Sequence, residues 1–324
     1  MRGAVYHFVE MAERIDPRET PHVILASDYL NVSDWRALAP KRLRDVPVAI
    51  YFHENQLSYP LADDAPIDHQ FGWINLSSAL TADLVLFNSE FHRQEFLHAV
   101  DQGLRRMPDY VPHGVASRLD AASGVFPVGI DFEPHREVLA RPLQRNASSP
   151  VILWNHRWEY DKDPNRMVEA LIGLKRRGVE FHAILCGQIV DRSTSAYVKA
   201  SSELGDRILH QGFYSDSRDY LKALAQADVV LSTAKHEFFG VSVVEALYMG
   251  CLPVLPNALS YVELLPKRLH EEFLYPPDCE LTSFLESFIA DLPVDRRAEL
   301  RAVASQFDWS RIAGTLDQRL ESLV

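Results

Sequence analysis

"HEFFGVSVVEALYMGCLPVLP" (residues 236–256) sets the reading of the whole chain. A polar start meets a Phe239-Gly240 turn, a helical apolar pattern follows over 241–249, and the short apolar run "LPVLP" closes the stretch. Helix passing directly into a buried strand is the grammar of a parallel α/β sheet. Glu237 precedes the turn and Glu245 lies eight positions on. Were the whole offset helical, it would span roughly 12 Å along the axis. Two glutamates so spaced are usually solvated helix residues. Here Phe238, Phe239, Val241, Val243, Val244, Ala246 and Leu247 surround them, and an unpaired carboxylate in apolar surroundings is costly. A ligand site is therefore favoured. Carboxylates accept hydrogen bonds from vicinal hydroxyls, so one can hold a hexose and the other a ribose. The amides of Phe239, Gly240 and Val241, opening the helix, suit a diphosphate.

The same alternation runs outward in both directions. Apolar runs at 22–27, 48–52, 83–88, 151–155, 182–186, 228–232 and 252–256 are separated by helical patterns, predicting two parallel sheets flanked by helices. The interruption is "ARPLQRNASSP" (140–150), polar and without apolar periodicity, which reads as a linker. The expected domains are residues 1–140, residues 150–307, and a helix over 308–324 that Trp309 anchors and that returns to the first domain. The first domain opens on a helix-like segment and reaches its first strand only near His22.

Composition narrows the class. The chain has 324 residues, 47% hydrophobic and 24% charged, with no apolar run near the ~20 residues that a membrane span needs. The opening residues lack the continuous apolar segment of a secretory signal. Cys186, Cys251 and Cys279 are scattered without metal-ligand spacing. These features predict a cytoplasmic protein with no membrane partner. The formal net charge of -12 argues against a generally basic, nucleic-acid-coating surface. One segment is locally basic, with Arg93, Arg105, Arg106, Arg118, His92, His98 and His113, followed by Arg136, Arg141 and Arg145. It fits either a solvated face or contact with one RNA.

Two further stretches bear chemistry. In "WNHRWEYDKDP" (154–164), Arg157 and Lys162 follow a strand and precede a helix, where two cations can meet a pyrophosphate. Singly, either fits an ion pair with Glu159 or Asp161. Asp161-Lys162-Asp163 is a poor metal site, since a cation separates the carboxylates and Asp163 before Pro164 reads as a helix N-cap. No metal or other cofactor is expected. In "YFHENQLSYP" (51–60), His53, Glu54, Asn55 and Gln56 leave a strand at the carboxyl edge, where open α/β sheets bind ligands. A polar loop with a structural histidine is the alternative. Asn88 and Ser89 end another strand, Gly129 reads as a turn residue in "PVGID" (127–131), and Tyr261 follows the last apolar run.

Residues 236–256 resemble the donor-binding motif of retaining glycosyltransferases of the GT-B fold, family 4. That resemblance implies two Rossmann-like domains facing across a cleft, Glu237 on the donor sugar, Glu245 on the nucleotide ribose, and Arg157 and Lys162 on the diphosphate. It implies a catalytic or positioning role for His53, with Glu54, Asn55, Gln56, Asn88, Ser89 and Tyr261 as cleft residues. The phrases "YFHENQLSYP", "FNSEFHRQEFL" (87–97), "WNHRWEYDKDP" and "STAKHEFFGVSVVEALYMGCLPVLP" (232–256) are together similar to the tRNA-queuosine mannosyltransferases. These add mannose from GDP-mannose to queuosine in the tRNA anticodon. A different sugar nucleotide with a saccharide, lipid or small-molecule acceptor is the alternative activity, and a non-catalytic sugar-nucleotide or tRNA binder the alternative class. The resemblance also implies a first strand and a Gly-Gly-Ser-His-like loop that "MRGAVYHFVE" (1–10) does not supply, so a native start further upstream is expected.

Overall fold

Runs such as "VAIYF" and "VILWN" have no polar face to turn to water, so they fold only where helices cover both sides of a sheet. The computed structural model describes residues 3–59, 69–140, 149–189, 192 and 194–324. Its strands are β1 (Ile24–Ser27), β2 (Val48–Phe52), β3 (Leu84–Phe87), β4 (Ser123–Val125), β5 (Val151–Asn155), β6 (His182–Cys186), β7 (Ile208–Gly212), β8 (Val229–Leu231), β9 (Leu252–Pro256) and β10 (Leu274–Tyr275). They make two wholly parallel sheets, ordered β1-β2-β3-β4 and β10-β9-β8-β5-β6-β7. All seven apolar runs are strands. The three that the runs do not announce, β4, β7 and β10, are all edge strands. An edge strand is short or half-solvated, so "SGV" and "ILHQG" lack the apolar signature of a central one.

Contacts divide the chain into one unit of Met1–Val128 with Ala313–Val324, and another of Gly129–Ile312. The division falls ahead of residues 140–150. Residues 141–148 of that stretch, with Arg141 and Arg145, lie outside the described residues, as does Pro60. The segment after Gly129 joins the second unit because Phe132 stacks on Tyr248 at 3.8 Å and the Ile130 amide donates to the Phe307 carbonyl. In the first unit, Arg319 of the last helix (Trp309–Glu321) donates to the Val125 carbonyl at 2.9 Å. Among the described residues no helix is long and apolar enough to cross a membrane.

The second sheet reverses strand order at β5 and β8: the chain runs outward through β6 and β7, then returns to the other side of β5. Sites at the carboxyl ends of strands form at such a reversal, and here the loops after β5 and β8 meet, the Lys235 and His236 amides donating to the Asp161 carbonyl. Close backbone approach shapes one wall. A Cβ on Gly187 would lie 1.8 Å from the His156 carbonyl oxygen, so only glycine lets the loop after β6 lie against the loop after β5.

Gly129 has a different reason from the expected turn. Its φ is not positive, and a Cβ there would fall 2.1 Å from the Trp309 ring. The ring lies directly over the bare backbone. Gly129→Ala is therefore expected to displace Trp309 and destabilise by about 1–3 kcal/mol. In a denaturation series, adding Trp309→Ala should cost much less in the Gly129→Ala background than in the wild type. Additive losses would separate the two residues.

Candidate functional site

At the carboxyl end of β5 the chain makes a short turn (Tyr160–Lys162) before the helix Pro164–Arg176. Asp163 caps that helix, accepting from the Arg166 amide at 3.3 Å with Pro164 at the first position, as the sequence predicts. The turn carries Lys162 inward, to 10% side-chain exposure. Its Nζ donates to the His236 carbonyl at 2.7 Å, and lies 3.1 Å from Asp161 and 3.2 Å from Glu237. Glu237 comes from the loop after β8. Its Oε2 faces Lys162, while Oε1 accepts from the Gly240 amide at 3.1 Å and lies 3.4 Å from the Phe239 amide.

Gly240 makes that turn possible. Its φ of 95° disfavours a side chain, and a Cβ would stand 3.1 Å from the Tyr261 ring. Tyr261 is fully buried and bonded to Ser232, so it supports the turn from beneath. The helix Val241–Tyr248 starts only there, so just the second half of the Glu237-to-Glu245 offset is helical. The first-turn amides of Val241 and Ser242 face no carbonyl of their own helix.

Burial is the largest influence and would raise the Glu237 carboxyl, but the Lys162 ammonium, His156 and the hydrogen bonds from Lys162 and the Phe239 amide together hold its pKa below the usual value. Burial works against the Lys162 charge, and Glu237 and Asp161 more than restore it. Both therefore stay ionised at neutral pH. His156 and His236 stand by this cluster and are pushed down to about 4, mainly by burial and then by Lys162. They are neutral.

Arg157 is more exposed than Lys162, and lies 3.2 Å from Glu159 and 3.9 Å from Asp161. It also lines a pocket of about 430 Å³ with Asn155, His156, Gly187, Gln188, Phe213, Tyr214 and Tyr220. Phe213 is 68% exposed there. Glu245 stands near the same place, its Oε2 receiving the Tyr220 hydroxyl at 2.9 Å. Arg157, Lys162, Glu237, Phe239, Gly240, Val241, Glu245 and Tyr261 thus gather in one unit, around the order reversal of its sheet. Asn155 and Tyr220 were missed by the sequence reading. Asn155 ends a strand just as Asn88 does, a signal that was available. Tyr220 lies mid-helix with none.

In the first unit, His53, Glu54, Asn55, Gln56, Asn88 and Ser89 gather at the carboxyl ends of β2 and β3. His53 is exposed, its ring edge-on to Tyr51 at 4.5 Å. The Asn88 side chain donates to the His53 carbonyl at 2.9 Å and faces His92 Nδ1 at 2.8 Å. Ser89 caps the helix Glu90–Leu104. Asn55 is fully buried, accepting from the Leu57 and Ser58 amides, and the Gln56 amide donates to Asn75. Asp28, unforeseen, accepts from the His53 amide at 3.1 Å, and burial raises its carboxyl to about 6. In the basic segment, Arg93 pairs with Glu90 and Asp120 and Arg105 with Asp101, whereas Arg106, His113 and Arg118 are exposed.

Two α/β units, each with its own parallel sheet, are the architecture of the GT-B fold. Solved structures support the fold. Anabaena HepE in complex with UDP is matched over 98% of this chain and 82% of its own, with a TM-score of 0.69 at 21% identity. Sucrose-phosphate synthase from Thermosynechococcus elongatus is matched over 99% and 77%, with a TM-score of 0.71 at 19% identity. Residues 1–130 match the family described as tRNA-queuosine alpha-mannosyltransferase N-terminal, and residues 135–289 match glycosyl transferases group 1. The Drosophila melanogaster tRNA-queuosine alpha-mannosyltransferase is 34% identical over 293 residues, 89% of this chain and 75% of that one. A GDP-mannose-dependent alpha-(1-6)-phosphatidylinositol dimannoside mannosyltransferase of Mycobacterium tuberculosis is 27% identical over 75% of this chain and 58% of its own length. The chain belongs to the tRNA-queuosine alpha-mannosyltransferase family, within family 4 of the glycosyltransferases.

Removing Lys162 would strand two buried carboxylates. Lys162→Met is expected to cost about 3–5 kcal/mol in chemical denaturation. Glu237→Gln should cost less, because Lys162 keeps Asp161 and the His236 carbonyl. The lowered Glu237 pKa makes its contribution complete above the ordinary carboxylate value and lost as pH falls through the folded one. The raised Lys162 pKa keeps its own contribution intact up to the ordinary lysine value. The wild-type advantage over Lys162→Met should therefore be flat near neutrality and shrink in acid. An advantage that grows in acid would contradict the pairing.

Proposed function

We propose that this protein transfers mannose from GDP-mannose to queuosine in the anticodon of tRNA, with retention of configuration. The observation that carries the reading is the Lys162-Glu237-Gly240 arrangement at the order reversal of the second sheet, in a chain of this family. The acceptor follows the family, and the donor draws support from relatives whose names specify GDP-mannose. In this reading Glu237, already oriented by Lys162 and the Gly240 amide, accepts hydrogen bonds from the donor hexose. Glu245 takes the ribose hydroxyls. The neighbouring 430 Å³ pocket receives the base, with the exposed Phe213 ring as a stacking face.

Rupture of the bond between mannose C1 and the diphosphate oxygen leaves negative charge on the departing group. Arg157, Lys162 and the amides of Phe239, Gly240 and Val241 stabilise that charge. Lys162 does so at short range and in a fixed place, because its three protein acceptors leave it no freedom to move. No carboxylate is proposed as a covalent nucleophile. The queuosine hydroxyl attacks C1 from the face that the diphosphate leaves, and its proton passes to the departing phosphate oxygen. His53 positions the sugar or acceptor, and Glu54, Gln56, Asn88 and Ser89 shape its surroundings. Asn55 acts indirectly, by holding the loop.

Incubation with GDP-mannose and queuosine-containing tRNA, followed by nuclease digestion and mass spectrometry, should reveal hexosylated queuosine. Glu237→Ala should reduce turnover at least a hundredfold, as loss of a group that stabilises the transition state does. Donor binding without any hexose on the tRNA would overturn the acceptor. Near-normal turnover in Glu237→Ala would remove that residue from the mechanism.

A further inference from the structure

Glu245 enters a polar chain built by three other elements. The Tyr220 hydroxyl, on the helix Ser217–Gln226, donates to Glu245 Oε2 at 2.9 Å and accepts from Asn155 Nδ2 at 3.1 Å. The same Asn155 amide donates to the Ser242 carbonyl at 2.8 Å, tying the end of β5 to the Glu245 helix. His135, on the helix Glu133–Leu139, brings Nε2 to 3.7 Å from Glu245 Oε1, beyond hydrogen-bond distance. Among the described residues, no lysine or arginine pairs with Glu245.

The arrangement makes little sense as packing alone. The Glu245 side chain is 21% exposed, with Oε2 gripped by Tyr220 and Oε1 left as an acceptor that a ligand can reach. Asn155 is in a similar state. It is 7% exposed, lines the 430 Å³ pocket with Tyr220, and its Oδ1 has no hydrogen-bond partner among the described residues. Unfilled acceptors at the edge of a pocket call for a ligand rich in donors.

We infer that Tyr220 is a positioning residue: its hydroxyl, fixed by Asn155, holds the Glu245 carboxylate so that Oε1 stays open to the vicinal hydroxyls of a ribonucleotide. This rests on the reading of Glu245 as the ribose acceptor. It adds that the strength of the ribose contact is set from a different helix.

A pH signature follows. Burial pushes the Glu245 carboxyl up to about 7, and the Tyr220 hydrogen bond pulls the other way. Ribose hydroxyls donate best to the ionised form, so binding favours ionisation. Affinity then rises with pH and levels off above about 7. Without the Tyr220 hydroxyl the carboxyl pKa rises, and the plateau moves to higher pH. The other titratable groups nearby stay silent over this range. Burial pushes His135 down to about 4 and Cys186, on β6, up to about 12, and keeps the Tyr220 hydroxyl well above its usual value. On the helix Arg297–Ala304, Arg297 pairs with Asp228 and Arg301 donates to the Tyr248 carbonyl.

The test is calorimetric titration of GDP and 2′-deoxy-GDP into the wild type, Tyr220→Phe and Glu245→Gln, from about pH 5.5 to about pH 8.5. The wild type should prefer GDP by about tenfold, the worth of one hydrogen bond to a charged group. Tyr220→Phe should weaken GDP about tenfold, affect 2′-deoxy-GDP less, and shift the rise to higher pH. Glu245→Gln should weaken GDP and leave only the pH dependence that GDP and 2′-deoxy-GDP share through their terminal phosphate. Glu245→Gln with wild-type GDP affinity would sink the ribose reading itself. If Glu245→Gln weakens GDP while Tyr220→Phe matches the wild type in affinity and pH profile, the ribose reading stands and the role of Tyr220 falls. Equal losses of both nucleotides in Tyr220→Phe, with no shift in pH, would make that residue structural and overturn the inference.

Discussion

One buried ammonium organises the second unit. Lys162 is surrounded by Asp161, Glu237 and the His236 carbonyl, and it sits among the bonds that join the loops after β5 and β8, the Lys235 and His236 amides donating to the Asp161 carbonyl beside it. A charge with so little solvent is tolerable only with its partners in place. The loops are therefore constrained together, and the constraint passes on through Glu237 to the Gly240 amide and the start of the next helix. Glu237 does two things at once: it completes the Lys162 pair and sets the turn. A group so held needs little reorganisation when charge develops beside it, which is the condition for the electrostatic stabilisation that the proposed function assigns to this place.

That tie falls where it does because of topology. Strand order reverses at β5 and β8, the place where a parallel sheet forms sites at its carboxyl edge, and there the loops after these two strands meet. Gly187 narrows one wall by letting backbone meet backbone, and Gly240, over the buried Tyr261 ring, turns the chain into the helix. The described strands of the first sheet follow sequence order, and its polar residues collect along one edge around Asp28, His53 and Asn88.

Much of this was legible in the chain. Central strands announce themselves because both faces are buried and every residue is apolar, as in "VILWN" and "LPVLP". Edge strands need not, and β4, β7 and β10 went unseen for that reason, while the edge strand β1 still carries an apolar run. Glu237, Lys162 and Arg157 could be singled out because each lies in a connection between a strand and the helix after it, a position that sequence can locate. Asp163 was found from its proline neighbour. Tyr220, Asp28 and Asn75 were invisible. Their partners lie 25, 25 and 19 residues away, respectively, and no local pattern marks the pairing. Gly129 was misjudged for the same reason, since the ring that demands it belongs to Trp309.

The sequence by itself determined the parallel α/β architecture and most of the residue types in the cluster around Lys162 and Glu237. Both depend on local periodicity and on which residues end strands, and these are properties of neighbours along the chain. Tertiary structure alone decided the protonation and orientation of those residues. Glu237 and Glu245 are two glutamates of one short segment, yet Lys162 and its neighbours keep the first ionised against its burial, while burial raises the second to about 7. Burial and long-range partners set that difference, and neither is written in the spacing of the two residues.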